Sequence, residues 1–454
     1  RAGRRSRKRA GGARAQAPRV TAVARAAAAV ESSRVVAVVG HDGCGKSKVC
    51  AALLELADGD RQPAESPKFA DKRRLLARES AEQRRNFTCY NHMYSQQSNA
   101  EAYDEFSPRL HLIDTPGHVD RLSHVDHALH VAHGAVVVCS VTGTNNTADG
   151  RIMAAVEQSG RPTIIFLNGV DKTDDAFDFE VALDNVSQQL GAPPAVLYAP
   201  VYNEKQLLLL NVVDGTVCAA DECYLMADTD DVFPNPAPGA VAEYAAQLRK
   251  QLVETVATAD EAVMESFLEQ DGEVPRQLLL DGLRRGALAG GLTPLVAGSA
   301  KTGLGIDALQ EAIQSFVSVR DGDLLMEEIG VNPVGGASPS VTGPFLGWAF
   351  GQRKEGDQRL LEVRVVSGTV SPGQSLKLVS AGAEGEAFAP VTLKELGDKG
   401  DLVEAAVAGP GDIILVPVPA SAAADLKPGE RVVPCAVSDA KRPFAPGSPE
   451  RARS

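Results

Sequence analysis

No run of about 18 apolar residues occurs in this chain, so nothing in it is expected to cross a membrane. Its seven cysteines, Cys44, Cys50, Cys89, Cys139, Cys218, Cys223 and Cys435, are odd in number and contain no CxxC pair. That argues against a disulfide framework and a zinc site, and for a reducing compartment. No internal repeat is visible. Acid is missing from the first 30 residues, which hold nine Lys or Arg. The leader is therefore +9 and the remainder −22, for the total of −13. A basic, Ala-rich leader over residues 1–33, acid-free through residue 30, reads as an organellar transit peptide, with "VARAAAAVESS" as its processing region. Chloroplast is favoured over mitochondrion, and a basic tail touching RNA is the alternative. The acidic excess of the body is a solvated face that disfavours broad nucleic-acid binding, DNA included.

What is present is enough chain for two or three domains: 454 residues, 44% of them hydrophobic. After the leader, short apolar strands alternate with helical stretches: 34–40, a helix from 46, 109–114, a helix near 120–132, 134–141, a helix near 150–159, 162–168 and a helix near 178–190. Such alternation predicts an α/β fold with a parallel-dominated sheet, in which ligands bind beyond the carboxyl ends of the strands. Residues 195–238 are less regular and suggest an inserted small sheet. Helical periodicity returns over 240–270 and 276–291, and "PLVAGSA" completes the sheet. The first domain is thus expected over 34–325 and a Gly/Pro/Ser linker over 326–342. Short strands broken by turns over 343–438 read as a small β-barrel, with a disordered tail over 439–454.

Within "VVGHDGCGKS", Gly40, four residues, Gly45, Lys46 and Ser47 form the phosphate-cradling pattern between strand and helix. Loop amides of Gly40, His41, Asp42, Gly43, Cys44 and Gly45 would converge on phosphate oxygens at a helix N-terminus. Lys46 would reach the β and γ phosphates and Ser47 would ligate Mg²⁺. A glycine turn of purely structural purpose is the bland alternative. Cys44, inside the loop, could block nucleotide if oxidised. Three further motifs fall at strand ends. "DTPGHVD" offers Asp114 for Mg²⁺ through water and Gly117 for the γ phosphate. "NGVDK" offers Asn168 and Asp171, whose carboxylate can accept from the two donors on the guanine edge. In "GSAK", Ser299, Ala300 and Lys301 end the last strand, with the Ala300 N–H toward the guanine oxygen and Lys301 over the base.

Over residues 34 to about 435 the chain resembles a translational GTPase of the elongation factor G type. The resemblance is carried by "GHDGCGKS", "DTPGHVD", the stretch from "ADEAVMESF" to "DALQEAI", and "VRVVSGTVSPGQSLK" with "AGPGDIILV". It implies GTP and GDP as ligands, Mg²⁺, an organellar ribosome as partner and contact with its RNA. It makes residues 195–255 the inserted subdomain. It also makes His118 catalytic together with Lys46, by positioning the attacking water. "RRNFTCY" is similar to the family's first switch, which makes Thr88 a metal ligand beside Ser47 and Asp114. Several departures stand out. Gly169 replaces a lysine whose stem packs along guanine, Gly43 an aspartate, and Asn86 and Phe87 a Gly-Ile pair. The chain also ends after the second domain, so the family's later domains are expected to be missing. Intact Lys46, Asp114 and His118 favour an enzyme, whereas Gly169 and the missing domains favour a degenerate G protein serving as a scaffold. A fragment of a longer factor is the third possibility. Finally, His124, His127, His130 and His133 step by three along a helix, as a polar stripe or a metal site.

Overall fold

The computed structural model describes residues 33–57, 91–96, 109–143, 147–173, 176–203, 206–218, 239–317, 345–355, 358–380, 383–388, 392–396, 402–405, 407–409, 411–418 and 430–434. The leader, Thr88 with the switch around it, the linker and the C-terminal tail lie outside the described residues. So do Cys89, Cys223 and Cys435.

The first sheet has nine strands: β1 (Ser33–Val39), β2 (His92–Gln96), β3 (Arg109–Asp114), β4 (Gly134–Ser140), β5 (Thr163–Asn168), β6 (Ala195–Asn203), β7 (Gln206–Asn211), β8 (Thr216–Cys218) and β9 (Pro294–Gly298). Their spatial order is β2-β3-β1-β4-β5-β9-β6-β7-β8. The inner run from β3 to β6 is parallel throughout, while β2 at one edge and β7 with β8 at the other are antiparallel. The strands read as unbroken apolar runs because both of their faces are covered. Val35 to Val39 are all fully buried, and each valine among them stabilises the fold by about 1.5–3 kcal/mol relative to exposure.

Eight helices among the described residues cover the sheet: α1 (Lys46–Ala57), α2 (Leu122–Val131), α3 (Thr147–Ser159), α4 (Ala176–Leu190), α5 (Gly239–Ala259), α6 (Glu261–Glu269), α7 (Arg276–Leu288) and α8 (Ile306–Phe316). The strands expected of a separate small sheet in 195–238 instead continue the main one, because β6 pairs in parallel with β9. The apolar periodicity over 240–270 conceals a break. Asp260 ends α5 and caps α6, accepting from the Val263 N–H at 3.1 Å, while Arg285 of α7 forks onto its carboxylate at 2.7 and 2.9 Å. In β8, Cys218 is disulfide-bonded, which corrects the expectation of a chain without disulfides at that position. Cys44, Cys50 and Cys139 are free thiols.

The second sheet is antiparallel: β10 (Leu346–Glu355), β11 (Gln358–Ser367), β12 (Leu376–Ser380), β13 (Ala383–Phe388), β14 (Leu393–Leu396), β15 (Leu402–Ala405), β16 (Ile413–Val418) and β17 (Glu430–Pro434). The order is β13-β12-β17-β10-β11-β16-β14-β15, and no pairing among the described residues joins the two ends into a closed barrel. Alternation along its strands serves two cores. Ala349, Leu361, Val363, Val365, Ile414 and Val416 pack together on one face. Leu346, Trp348, Phe350, Leu360, Ile413 and Leu415 join the core of the first sheet. The period of two in side-chain direction thus welds the second sheet to the first.

Candidate nucleotide-binding site

Four of the motifs lie together, at the carboxyl ends of the parallel strands. Gly40 follows β1, Asp114 ends β3, Asn168 ends β5, and Ser299 follows β9. The loop between β1 and α1 leaves Asp42 and Gly43 exposed at its mouth and buries Cys44 beneath it. Lys46, 5% exposed, donates from Nζ to the His41 carbonyl at 2.8 Å, so its ammonium is held across the loop. Cys44 Sγ lies 4.0 Å from the same nitrogen.

Ser47 Oγ donates to Asp114 Oδ2 at 2.6 Å. A hydroxyl and a carboxylate brought together this way form an oxygen-only, hard donor set of the kind Mg²⁺ takes from a protein when phosphate and water complete its shell. Thr115 anchors the turn after β3, its Oγ1 and N–H both donating to Val38 O at 2.9 and 3.2 Å. That anchoring lays Gly117 on the phosphate loop. A Cβ there would stand 2.5 Å from Asp42 N and from Lys46 Nζ, so only glycine admits the approach.

The other end of the site is tied across long stretches of chain. Asn168 Nδ2 donates to Cys44 O at 2.8 Å while its Oδ1 accepts from Ala300 N at 2.9 Å. Ala300 N–H, expected to reach guanine, is therefore engaged by Asn168 in this structure. Gly45 makes the brace possible: its φ is +102°, and a Cβ there would lie 2.3 Å from Asn168 Nδ2. Asp171 accepts from Ser299 Oγ at 2.6 Å and faces Lys301 Nζ at 3.9 Å. Gly169 N–H donates to Gly298 O at 2.9 Å, which locks the turn after β5 to the end of β9. Lys46, Ser47, Asp114 and Gly117 thus form one cluster, and Asn168, Asp171, Ser299, Ala300 and Lys301 a second joined to it through Cys44.

His118 stands apart from both. Its side chain is 57% exposed and its Nδ1 lies 3.5 Å from Asp120 Oδ2. The histidine stripe divides in two. His124 and His127 meet edge to face, with ring centroids 6.5 Å apart. Burial and the neighbouring His124 and His130 push His127 down to about 4. No group of three metal-ligating side chains occurs among the described residues. His133 belongs to the domain junction instead. Its Nδ1 accepts from Val35 N–H at 2.8 Å, and the Arg364 guanidinium from β11 lies 2.6 Å from Nε2. Burial first, then Arg364 and Arg161, hold it well below the usual imidazole range. Arg364 also donates to Val131 O, and Arg161 to Leu129 O and His130 O, so two arginines cap the C-terminus of α2. Nothing in the local sequence signals these contacts, because their partners are far apart in the chain.

Residues 31–319 match the family profile described as the elongation factor Tu GTP binding domain. Elongation factor G 1 of Geobacter sulfurreducens is 27% identical over 357 residues, 76% of this chain and 48% of that protein. Elongation factor G of Fervidobacterium nodosum is 30% identical over 274 residues, 58% of this chain and 38% of that protein. Elongation factor G 2 of Geobacter metallireducens is 28% identical over 275 residues, 59% of this chain and 38% of that protein. The chain therefore spans less than half the length of these curated relatives. A crystal structure from Thermus thermophilus, titled ttk003000868, shares the fold with a TM-score of 0.67 at 21% identity, covering 92% of this chain and 56% of that one. With the phosphate loop, the Asp114 turn and the Asn168–Ala300 tie together at the carboxyl ends of the parallel strands, this chain belongs to the elongation factor Tu GTP-binding domain family, and it is similar to the elongation factors G within it.

Proposed function

We propose that the chain binds GTP and GDP, hydrolyses GTP with Mg²⁺, and acts in translation on an organellar ribosome, touching its RNA. The basic leader, acid-free through residue 30, supports an organellar address, which we assign to the plastid ahead of the mitochondrion. The observation that carries the reading is the tie through Asn168, which holds the phosphate loop and the Ser299–Lys301 turn in register, with Asp171 oriented by Ser299 beside them. A carboxylate fixed there meets the paired donors of guanine, which adenine lacks.

Phosphoryl transfer of this type needs positioning and charge stabilisation but no covalent intermediate. Lys46 turns from the His41 carbonyl to the phosphates, where it and the loop amides meet the charge that develops on the transferred group. Ser47 and Asp114, with Thr88 from the first switch, would hold Mg²⁺, which neutralises phosphate charge when bound. Gly117, which lies close against Asp42 and Lys46, would report the third phosphate through its N–H. His118 orients the attacking water. In this structure its ring faces solvent, which accords with a catalytic position reached on docking.

Gly169 favours a second reading, a G protein kept for its surfaces that binds nucleotide poorly. Titration of the full chain with fluorescent GDP and GTP at fixed Mg²⁺, followed by phosphate release with and without organellar ribosomes, separates the two. Micromolar or tighter guanine binding with ribosome-stimulated release, lost in His118→Ala, supports the GTPase. No binding at millimolar nucleotide would overturn it in favour of the scaffold.

A further inference from the structure

We propose that Lys172 is a nucleotide-binding residue that lays its stem along the base from beside Gly169; this rests on the reading of the site as a guanine-nucleotide seat. Residues Val170–Lys172 form a single 3₁₀ turn after Gly169, closed by Lys172 N–H donating to Gly169 O at 3.0 Å. That turn brings the Lys172 side chain back over Gly169. A Cβ at position 169 would lie 3.5 Å from Lys172 Cε, 3.6 Å from Cδ and 3.6 Å from Nζ. The stem and ammonium of Lys172 therefore lie in ordinary van der Waals range of the place where a side chain at 169 would begin, alongside the bare backbone of Gly169.

The lysine is uncommitted elsewhere. It is exposed, and its ammonium has no hydrogen-bond or ion-pair partner among the described residues. Its neighbour Asp171 already faces the cation of Lys301 at 3.9 Å and accepts from Ser299, so Lys172 is not needed to neutralise that carboxylate. A methylene stem ending in an ammonium suits the face of a purine, combining apolar contact with attraction of the cation to the ring. Placed one residue after the carboxylate that meets the edge of guanine, Lys172 would hold the ring's face. Gly169 and Lys172 then act as one device, with the lysine moved three positions along the chain.

The test is titration of the full chain with fluorescent GDP, and competition by unlabelled GTP and guanosine, in wild type, Lys172→Ala and Lys172→Met. Lys172→Ala is expected to weaken all three ligands about tenfold, equivalent to ~1.4 kcal/mol, with the melting temperature of the nucleotide-free chain unchanged. Lys172→Met, which keeps the stem, is expected to stay within about threefold of wild type. GDP affinity unchanged in Lys172→Ala overturns the proposal, as does a loss confined to GTP with guanosine unaffected, since that would place the ammonium on phosphate. Wild-type protein that binds no guanine nucleotide fails the nucleotide-seat reading itself, before any variant is compared.

Discussion

Gly117 decides how closely the loop after β3 approaches the phosphate loop. Any side chain there would meet Asp42 N and Lys46 Nζ at about 2.5 Å, and backbone cannot yield as a flexible side chain can. Gly117→Ala is expected to leave GDP binding near wild type but to weaken GTP at least tenfold, measurable by competition titration, because the loop is pushed off the third phosphate. Asn168 works differently, satisfying Cys44 O and Ala300 N–H from one buried amide. Asn168→Ala leaves both groups without that partner. The expected cost is about 1–3 kcal/mol of stability, read as a lower urea midpoint, together with loss of guanine affinity. Most of this residue set was legible from spacing, since Gly40, Lys46, Ser47, Asp114, Asn168 and Lys301 come from short motifs whose chemistry is local. The brace itself was not, because one partner of Asn168 lies 124 residues before it and the other 132 after it. No local pattern records such a pair, and for the same reason the engagement of Ala300 N–H by Asn168 was missed.

Elements come next, and α5 with α6 shows what periodicity conveys and conceals. An apolar stripe continues across Asp260, so the sequence reads as one helix, yet the cap and the Arg285 fork end one helix and start another. The fork draws the Asp260 carboxyl below its ordinary value, with the Arg285 hydrogen bonds as the main cause. Asp260→Ala removes the cap, for an expected loss of about 1 kcal/mol, seen in thermal melts as a shift of roughly 2–4 °C. Asp260→Asn, which can still accept from Val263 N–H, is expected to recover most of it. The strands were the most legible elements, since buried β-branched runs such as "VVAVV" and "TIIFLN" have no competing pattern. The edge strands β7 and β8 fall in the region expected to form a separate small sheet, because sheet membership depends on the pairing of β6 with β9, a feature of topology that the local pattern does not contain.

For the whole molecule, the two sheets are one packed body because a face of the second contributes Leu346, Trp348 and Phe350 to the core of the first. Arg364 is the polar pin of that junction, reaching Val131 O and His133 from β11. Arg364→Ala is expected to cost about 2–3 kcal/mol and to split a single calorimetric transition into two. Acid should loosen the same body. With donors facing both ring nitrogens of His133, a second ring proton finds no acceptor. His127 is likewise held down, to about 4. Their folded-state values lie below the ordinary 6.5, so the unfolded chain binds protons first as pH falls. Stability is therefore fully present above about pH 6.5 and declines toward pH 4. Melting temperatures over that range should fall, and His127→Gln should flatten the slope between pH 6.5 and 5. The brace through Asn168 carries a further consequence, one of timing. Its last partner, Ala300, is made 132 residues after Asn168, a delay of order 10 s at typical rates of synthesis. Until then a nascent chain holds a phosphate loop whose partner turn has not been made. Stalled chains ending before residue 300 should retain no guanine nucleotide, while those extended past α8 should capture it as they emerge.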